Sequence, residues 1–239
     1  MPDSDQPAPT RPPRQTRSRA TLDRLLDATA ALLAEGPLVE PSVAEIARRA
    51  GASVGAVYGR FPDKEALLDC FDERFFVLAR ASCDEFFDSA GWRQASLHDS
   101  VAQLVSLLVC NHRRYRGVLR ALTLRALARP GSPFRERADR HNRYVLERVK
   151  AHLLTRPEPV GHPDPARAVE LAFLFTVGAV RQVVLFDEVG GLAAPGDEQL
   201  AAELTRAFLA YLGAGEGGPG GRPRPATSRR PRGRHPTGS

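Results

Sequence analysis

The chain has 239 residues and a formal net charge of +6, enough length for one sizeable core or two smaller ones. Its cysteines, Cys70, Cys83 and Cys110, are odd in number and lack C-x-x-C spacing, which argues against a disulfide framework or a zinc site and for small core residues of a reduced cytosolic protein. The positive charge does not by itself mark a nucleic-acid surface, because residues 213–239 hold six arginines and one acid, a net of +5 out of the +6.

The N-terminal segment, MPDSDQPAPTRPPRQTR, is polar and proline-rich, without the apolar stretch of a secretory signal. Residues 1–17 are expected to be a disordered basic arm. Arg17 and Arg19, with Arg11 and Arg14 before them, are placed either to follow a DNA backbone or minor groove or simply to be solvated. A first helix follows, with Leu22, Leu25, Leu26, Thr29 and Leu33 on its buried face and a stop at Gly36-Pro37. Ser42 and Glu45 form a capping-box signature for a second helix, whose apolar face is Val43, Ile46, Ala47 and Ala50. Gly51 ends it, since glycine accepts the positive φ needed just past a helix. Ser53 is set to cap a short third helix on which Val54, Val57, Tyr58 and Phe61 recur at helical spacing until Pro62. Two short helices about a glycine turn have the layout of a helix-turn-helix, whose second helix enters the major groove. Ordinary helical hairpins share that layout, so spacing alone leaves both readings open.

The outward face of the third helix is bare. Ser53, Gly55, Ala56 and Gly59 are small, which lets the helix backbone approach a groove and the Ala56 methyl meet a thymine methyl. Tyr58, Arg60 and Lys64 are placed to hold phosphates, which fixes register without reading sequence. Residues 19–68, RATLDRLLDATAALLAEGPLVEPSVAEIARRAGASVGAVYGRFPDKEALL, resemble the N-terminal domain of the TetR family of bacterial transcriptional regulators. The resemblance lies in the apolar first helix ending at Gly36, then IARRAGAS, then VGAVYGRF, then DKEALL opening a fourth helix. It covers about a fifth of the chain. Arg60 stands where relatives often carry histidine, so no operator sequence carries over from a relative. Together these readings set Arg17, Arg19, Ser42, Ser53, Val54, Gly55, Ala56, Tyr58, Arg60 and Lys64 against double-stranded DNA.

Asp63 caps the fourth helix, which carries Leu67, Phe71, Phe75, Leu78 and Phe86, ends at Gly91, and ties the reading head to the rest. Five further helices are expected. The first has the stripe Leu97, Val101, Leu104, Val105 and Leu108; the second has Tyr115, Val118, Leu119, Leu122 and Ala126, and Pro130 to Pro133 stop it. A third runs from Phe134 to about Leu154. Asp164-Pro165 then starts a helix that is apolar nearly all round as far as Phe186. Its most apolar run, Ala168 to Val180, contains Glu170 and is followed by Arg181, which makes it too short and too broken to span a bilayer.

A helix of that kind needs cover on every side. With the last helix, it reads either as half of a four-helix dimer interface, where TetR-family proteins dimerise, or as an internal core helix. Phe175, Val180, Val184, Leu204, Phe208 and Tyr211 are the candidate interface residues of a homodimer. No stretch alternates with period two between hairpin turns, so the fold class is all-α. The expected divisions are a helix-turn-helix domain over 18–62, a helical effector-binding and dimerisation domain over 63–212, and a disordered Gly-, Pro- and Arg-rich tail over 213–239.

Gly51 to Gly55 fits G-x-S-x-G, but a nucleophile elbow needs a strand before the serine and here a helix precedes it. There is no H-E-x-x-H, no phosphate-binding glycine loop and no paired metal-ligand motif, so no catalytic residue, metal or cofactor is assigned. Polar residues set among apolar stripes are the candidates for a ligand pocket with a few orienting groups: His112, Leu119, Thr123, Arg125, His141, Tyr144, Phe173, Val177 and Arg181. The resulting expectation is a cytoplasmic, sequence-specific DNA-binding regulator, a repressor released from a palindromic operator by a small-molecule effector. Two alternatives stay open: a DNA binder of the same type without an effector, and an all-α small-molecule-binding protein or enzyme.

Overall fold

The structure, a computed structural model, describes residues 14–35, 40–129, 131, 133–158, 160–186 and 194–213. Most of the expected N-terminal arm, the Gly36-Pro37 stop and the tail beyond Gly213 lie outside the described residues. Among the described residues every regular element is helical.

Helix α1 (Arg14–Glu35) begins inside the segment that composition assigned to a disordered arm. The last N-terminal proline is Pro13, and nothing after it interrupts a helix. Helix α2 (Val43–Arg49) opens on the expected capping box. The Ser42 hydroxyl accepts the Glu45 N–H at 3.2 Å, and the Glu45 carboxylate accepts the Ser42 N–H at 2.8 Å. The Ser42 hydroxyl also donates to that carboxylate at 2.7 Å, and the two bonds donated by Ser42 hold the Glu45 carboxyl below its usual range. Gly51 turns the chain with φ +62°, and Ser53 caps helix α3 (Val54–Tyr58) by accepting the Ala56 N–H at 3.1 Å.

Helix α4 (Lys64–Asp88) starts at its Asp63 cap. It stops before Gly91, because Ser89 caps a short extra helix, α5 (Ala90–Gln94), that tucks Trp92 into the interior. Leu78, expected on the buried face of α4, is exposed. The remaining helices are α6 (Leu97–Arg114), α7 (Arg116–Ala128), α8 (Pro133–Leu153), α9 (Pro165–Val180) and α10 (Asp197–Leu212). Helix α9 runs on as a π-helical turn, Arg181–Leu185. The continuous stretch Pro165–Leu185 has 21 residues, and its most apolar 18-residue window has a mean hydropathy of 1.7, so by length and composition it reaches that of a membrane span. Counting only to Val180 underestimated it, since the π turn carries the helix past Arg181. Half of its apolar window is buried inside the chain, and Glu170 is paired with Lys150 at 2.7 Å and Arg167 at 3.1 Å.

The interior divides into two cores. The smaller holds Leu25, Ile46, Val57, Leu67 and Phe71, and takes in Val118 and Leu122 from α7 and Phe134 from α8. The larger is built from Trp92, Leu104, Val149, Phe173, Val184, Phe208 and Leu212 among others. Helices α4 and α8 contribute to both, so side-chain packing runs across the expected boundary at residues 62–63. Of the cysteines, Cys83 is buried and Cys70 half-buried, whereas Cys110 is exposed on α6 and is not a core residue.

Candidate nucleic-acid interface and ligand cavity

Helix α3 is held by one side chain. Val57 is fully buried, while Val54, Gly55, Ala56 and Tyr58 all face solvent. A Cβ added at Gly55 would come no closer than 3.9 Å to any neighbour, and that neighbour is the Ser53 hydroxyl. The fold itself therefore has no steric need for glycine there, although glycine inside a helix costs about 1 kcal/mol relative to alanine.

The basic residues around α3 divide into two kinds. Arg19 is exposed; the side chain of Arg17 lies outside the described residues. Arg60 and Lys64, expected to reach phosphates, are half-buried and engaged within the protein. The Arg60 guanidinium donates to the Ser18 hydroxyl at 3.0 Å, tying the end of α3 to α1. Lys64 pairs with Glu40 at 2.8 Å, because the turn into α2 brings that carboxylate alongside. Ser42 is exposed, but its hydroxyl is spent on the cap of α2.

The head is joined to the rest through α7. Gly117 faces Ala34 of α1 so closely that a Cβ would sit 2.5 Å from the Ala34 carbonyl oxygen, so only glycine fits. Two turns on, Arg125 is buried and surrounded by acids. Its Nη1 donates to Asp72 at 3.0 Å and its Nη2 to Glu65 at 2.8 Å and Asp69 at 3.2 Å, with Glu40 at 3.5 Å from Nε. Burial pulls the Arg125 pKa down, but the Glu65 hydrogen bond and the charges of Asp72 and Asp69 outweigh it, and the net direction is up. Asp72 is fully buried, and burial pushes its carboxyl up to about 7 against the pull of Arg125. Arg125 is thus a strut between α7 and α4, not a pocket residue. Tyr144 also leaves the pocket set: its hydroxyl donates to Asp84, and the Arg80 guanidinium lies 3.5 Å over its ring.

The other seven pocket candidates, His112, Leu119, Thr123, His141, Phe173, Val177 and Arg181, line one cavity of about 150 Å³ between α4, α6, α7, α8 and α9. Residue-by-residue reading missed Phe75, Phe76 and Phe134, which supply its aromatic walls, and Asn111 and Asn142. The His112 Nδ1 lies 2.8 Å from the Leu108 carbonyl oxygen of its own helix. Burial lowers the His112 pKa, with Arg181 adding to the effect and the carbonyl opposing it; burial likewise lowers that of His141.

The model for bacterial regulatory proteins of the tetR family matches residues 25–69, and that for the tetracyclin repressor-like C-terminal domain matches residues 96–212. The chain belongs to the TetR family. It is a DNA-binding transcriptional regulator of that family. Its curve of the chain is shared by a transcriptional regulator from Rhodococcus sp. Rha1, at 22% identity and a TM-score of 0.63, over 80% of this chain and 96% of that one. A TetR transcription regulator from Haloarcula marismortui matches at 18% identity and 0.61, over 82% and 98%. FadR from Bacillus subtilis, solved in complex with stearoyl-CoA, matches at 18% and 0.52, over 80% and 96%. At these identities the likeness is one of fold. No curated protein gives a significant sequence match.

Within this TetR-family fold, the interface candidates also separate. Val180, Val184 and Phe208 are buried in their own subunit, at 0%, 0% and 2% exposure, and so have no surface to offer a partner. Phe175 is exposed, Leu204 and Tyr211 are half-buried, and the Phe175 and Tyr211 rings meet edge-on at 5.8 Å. Leu174, which the sequence did not single out for this role, is 60% exposed beside Phe175. Thr176, between the faces, is buried with its hydroxyl donating to the Ala172 carbonyl at 2.8 Å.

Proposed function

We propose that this regulator works in the cytoplasm as a homodimeric repressor, gripping a palindromic operator with α3 of each subunit and releasing it when a small molecule enters the α4–α9 cavity. The observation that carries the reading is the exposed, side-chain-free backbone at Gly55, which the fold does not require. Ser53, Val54, Gly55, Ala56 and Tyr58 form the groove-facing set, with the exposed Arg19 following the backbone alongside. Arg60 and Lys64 serve first to seat the head, and a phosphate has to compete with Glu40 for Lys64.

Dimerisation is supported by the adjacent exposed side chains Leu174 and Phe175 on α9, since soluble chains seldom leave large apolar neighbours uncovered. Ligand response is supported by the cavity and by a relative of this fold that is held in complex with stearoyl-CoA. Helix α7 touches both ends of the device: Leu119 and Thr123 line the cavity, and Arg125 braces α4. A ligand shifts the population of head positions only by its differential affinity for them.

Selection of bound fragments from genomic DNA by the purified chain tests the reading. The expected outcome is an inverted repeat whose half-sites lie one helical turn or a small multiple apart. Tyr58→Ala should weaken binding. Recovery of no preferred sequence would sink the operator reading.

A further inference from the structure

We propose that the cavity takes a compact, single-ring aromatic alcohol, a phenol in the chemical sense, whose hydroxyl donates a hydrogen bond to Nε2 of His112. The proposal rests on the reading of this cavity as the effector site, and narrows it to a class of ligand.

Size comes first. A cavity of about 150 Å³ matches the engineered apolar cavities that accept benzene, and lies below the 300–1,000 Å³ range of sites for drug-sized molecules. A long acyl chain needs a larger space. The walls come second: Phe75, Phe76, Phe134 and Phe173 present rings to the cavity, and Phe76 and Phe134 already pack ring to ring at 5.5 Å. An aromatic guest gains offset or edge-on contacts from such walls beyond simple burial.

The polar end decides the functional group. A backbone carbonyl only accepts, so the His112 Nδ1, 2.8 Å from the Leu108 oxygen, carries the ring's hydrogen. Burial keeps the imidazole neutral at neutral pH, so the other ring nitrogen, Nε2, of this cavity-lining residue holds a lone pair. That atom asks for a donor. A phenol supplies one, whereas an ether or a carboxylate sets lone pairs against it and leaves Nε2 unmatched. Arg181, exposed at the cavity's edge, stays in water.

Calorimetric titration of the full chain with phenol, 4-methylphenol, methoxybenzene, benzoate and stearoyl-CoA tests this, with the same compounds added to the operator complex. The phenols should bind about tenfold tighter than methoxybenzene, the value of one buried hydrogen bond, and should lower operator affinity. His112→Phe should erase the difference between phenol and methoxybenzene. If that variant fails to fold, the comparison within the natural chain still decides. Equal binding of phenol and methoxybenzene would overturn the His112 hydrogen bond. Binding of stearoyl-CoA but not of phenols would overturn the ligand class while leaving an effector site standing. Binding of none of these, with the operator complex unmoved by any, would overturn this inference; cellular extracts of small molecules that likewise left the operator complex intact would take the effector reading with it.

Discussion

The two cores of this chain meet solvent in opposite ways. The smaller one sends out α3, five residues long, which keeps a single side chain inside and shows Gly55 and Ala56 between the exposed Val54 and Tyr58 outside. The larger one sends out α9, which fills the interior on one side and still has Leu174 and Phe175 left over on the other. One surface has less side chain than a stable helix wants, the other more apolar surface than a soluble monomer wants. The difference is what the proposed function draws on: small residues on a helix suit a rigid groove that must be approached closely, and protruding hydrocarbon suits a partner that can bury it.

The largest expected effect concerns the seam between the cores. Arg125→Ala strips the buried carboxylate of Asp72 of its counter-charge, takes the partner of Asp69 and leaves Glu65 to Arg129. Breaking a buried pair by removing one partner costs about 3–5 kcal/mol, and urea denaturation at pH 7.5 should read a loss of that order. Replacing Arg125 and Asp72 together by Met and Leu should recover much of it, because no charge is then left buried. A loss well below 1 kcal/mol for Arg125→Ala would mean that apolar packing and the Gly117–Ala34 contact hold the cores together unaided.

Next comes the outer face of the larger core. Leu174→Arg or Phe175→Arg should weaken dimerisation on the order of 100-fold, as central interface residues do, without lowering the melting temperature of the separated subunit. Val184→Arg should instead unfold the chain, because that residue is fully buried at home. Sedimentation velocity separates the two outcomes. A dimer indifferent to both surface changes would move the interface elsewhere.

That contrast also marks how far the sequence could be read. The head was legible because its punctuation is local: Ser42 and Glu45 cap each other, Gly51 takes a positive φ, Ser53 and Asp63 cap the next helices, and each signal acts within four residues. Helix α9 was not, since a helix apolar on all sides carries no periodic signal to tell which face turns inward. Val184 and Leu174 look alike in the sequence and have opposite fates. Arg125 was misplaced for a related reason. An arginine within an apolar stripe suits a pocket or a buried ion pair equally, and its acids on α4 are more than fifty residues away. Helix α5 was missed because five residues around a glycine leave little pattern to find.

A pH profile sharpens the comparison on the side of the larger core. His152 stacks on Trp92 with ring centroids 4.2 Å apart and shares a 2.8 Å hydrogen bond with the Ser100 hydroxyl. Burial, helped by Arg156, lowers its pKa to about 4, against about 6.5 in an unfolded chain. Between those values the unfolded state binds more protons than the folded one. The His152 contribution to stability is therefore full above about pH 6.5, falls as the pH drops through the window and levels off near pH 4; it is read as the difference between the natural chain and His152→Gln, because the raised carboxyl of Asp72 works the other way in the same window. Allowing for solvent screening of a partly exposed ring, the loss should be about 1–2 kcal/mol. His152→Gln should flatten that limb, leaving a remainder from His112 and His141, whose pKa values are also depressed. A limb unchanged in the variant would assign the acid sensitivity to other groups.

The smallest effect on stability is the most telling about α3. Gly55→Ala adds a methyl group that meets no protein atom nearer than 3.9 Å, and it removes the entropic cost of glycine inside a helix. Thermal unfolding should show a gain of about 0.5–1 kcal/mol. If the α3 backbone presses into a groove, the same methyl stands in the way, and operator affinity should fall while stability rises. Opposite signs from one methyl group separate a site shaped by its partner from one shaped by its fold. A variant that gained stability and kept its operator affinity would mean that the groove lies further from Gly55 than the bare face suggests, and Ala56 and Tyr58 would then have to carry the contact.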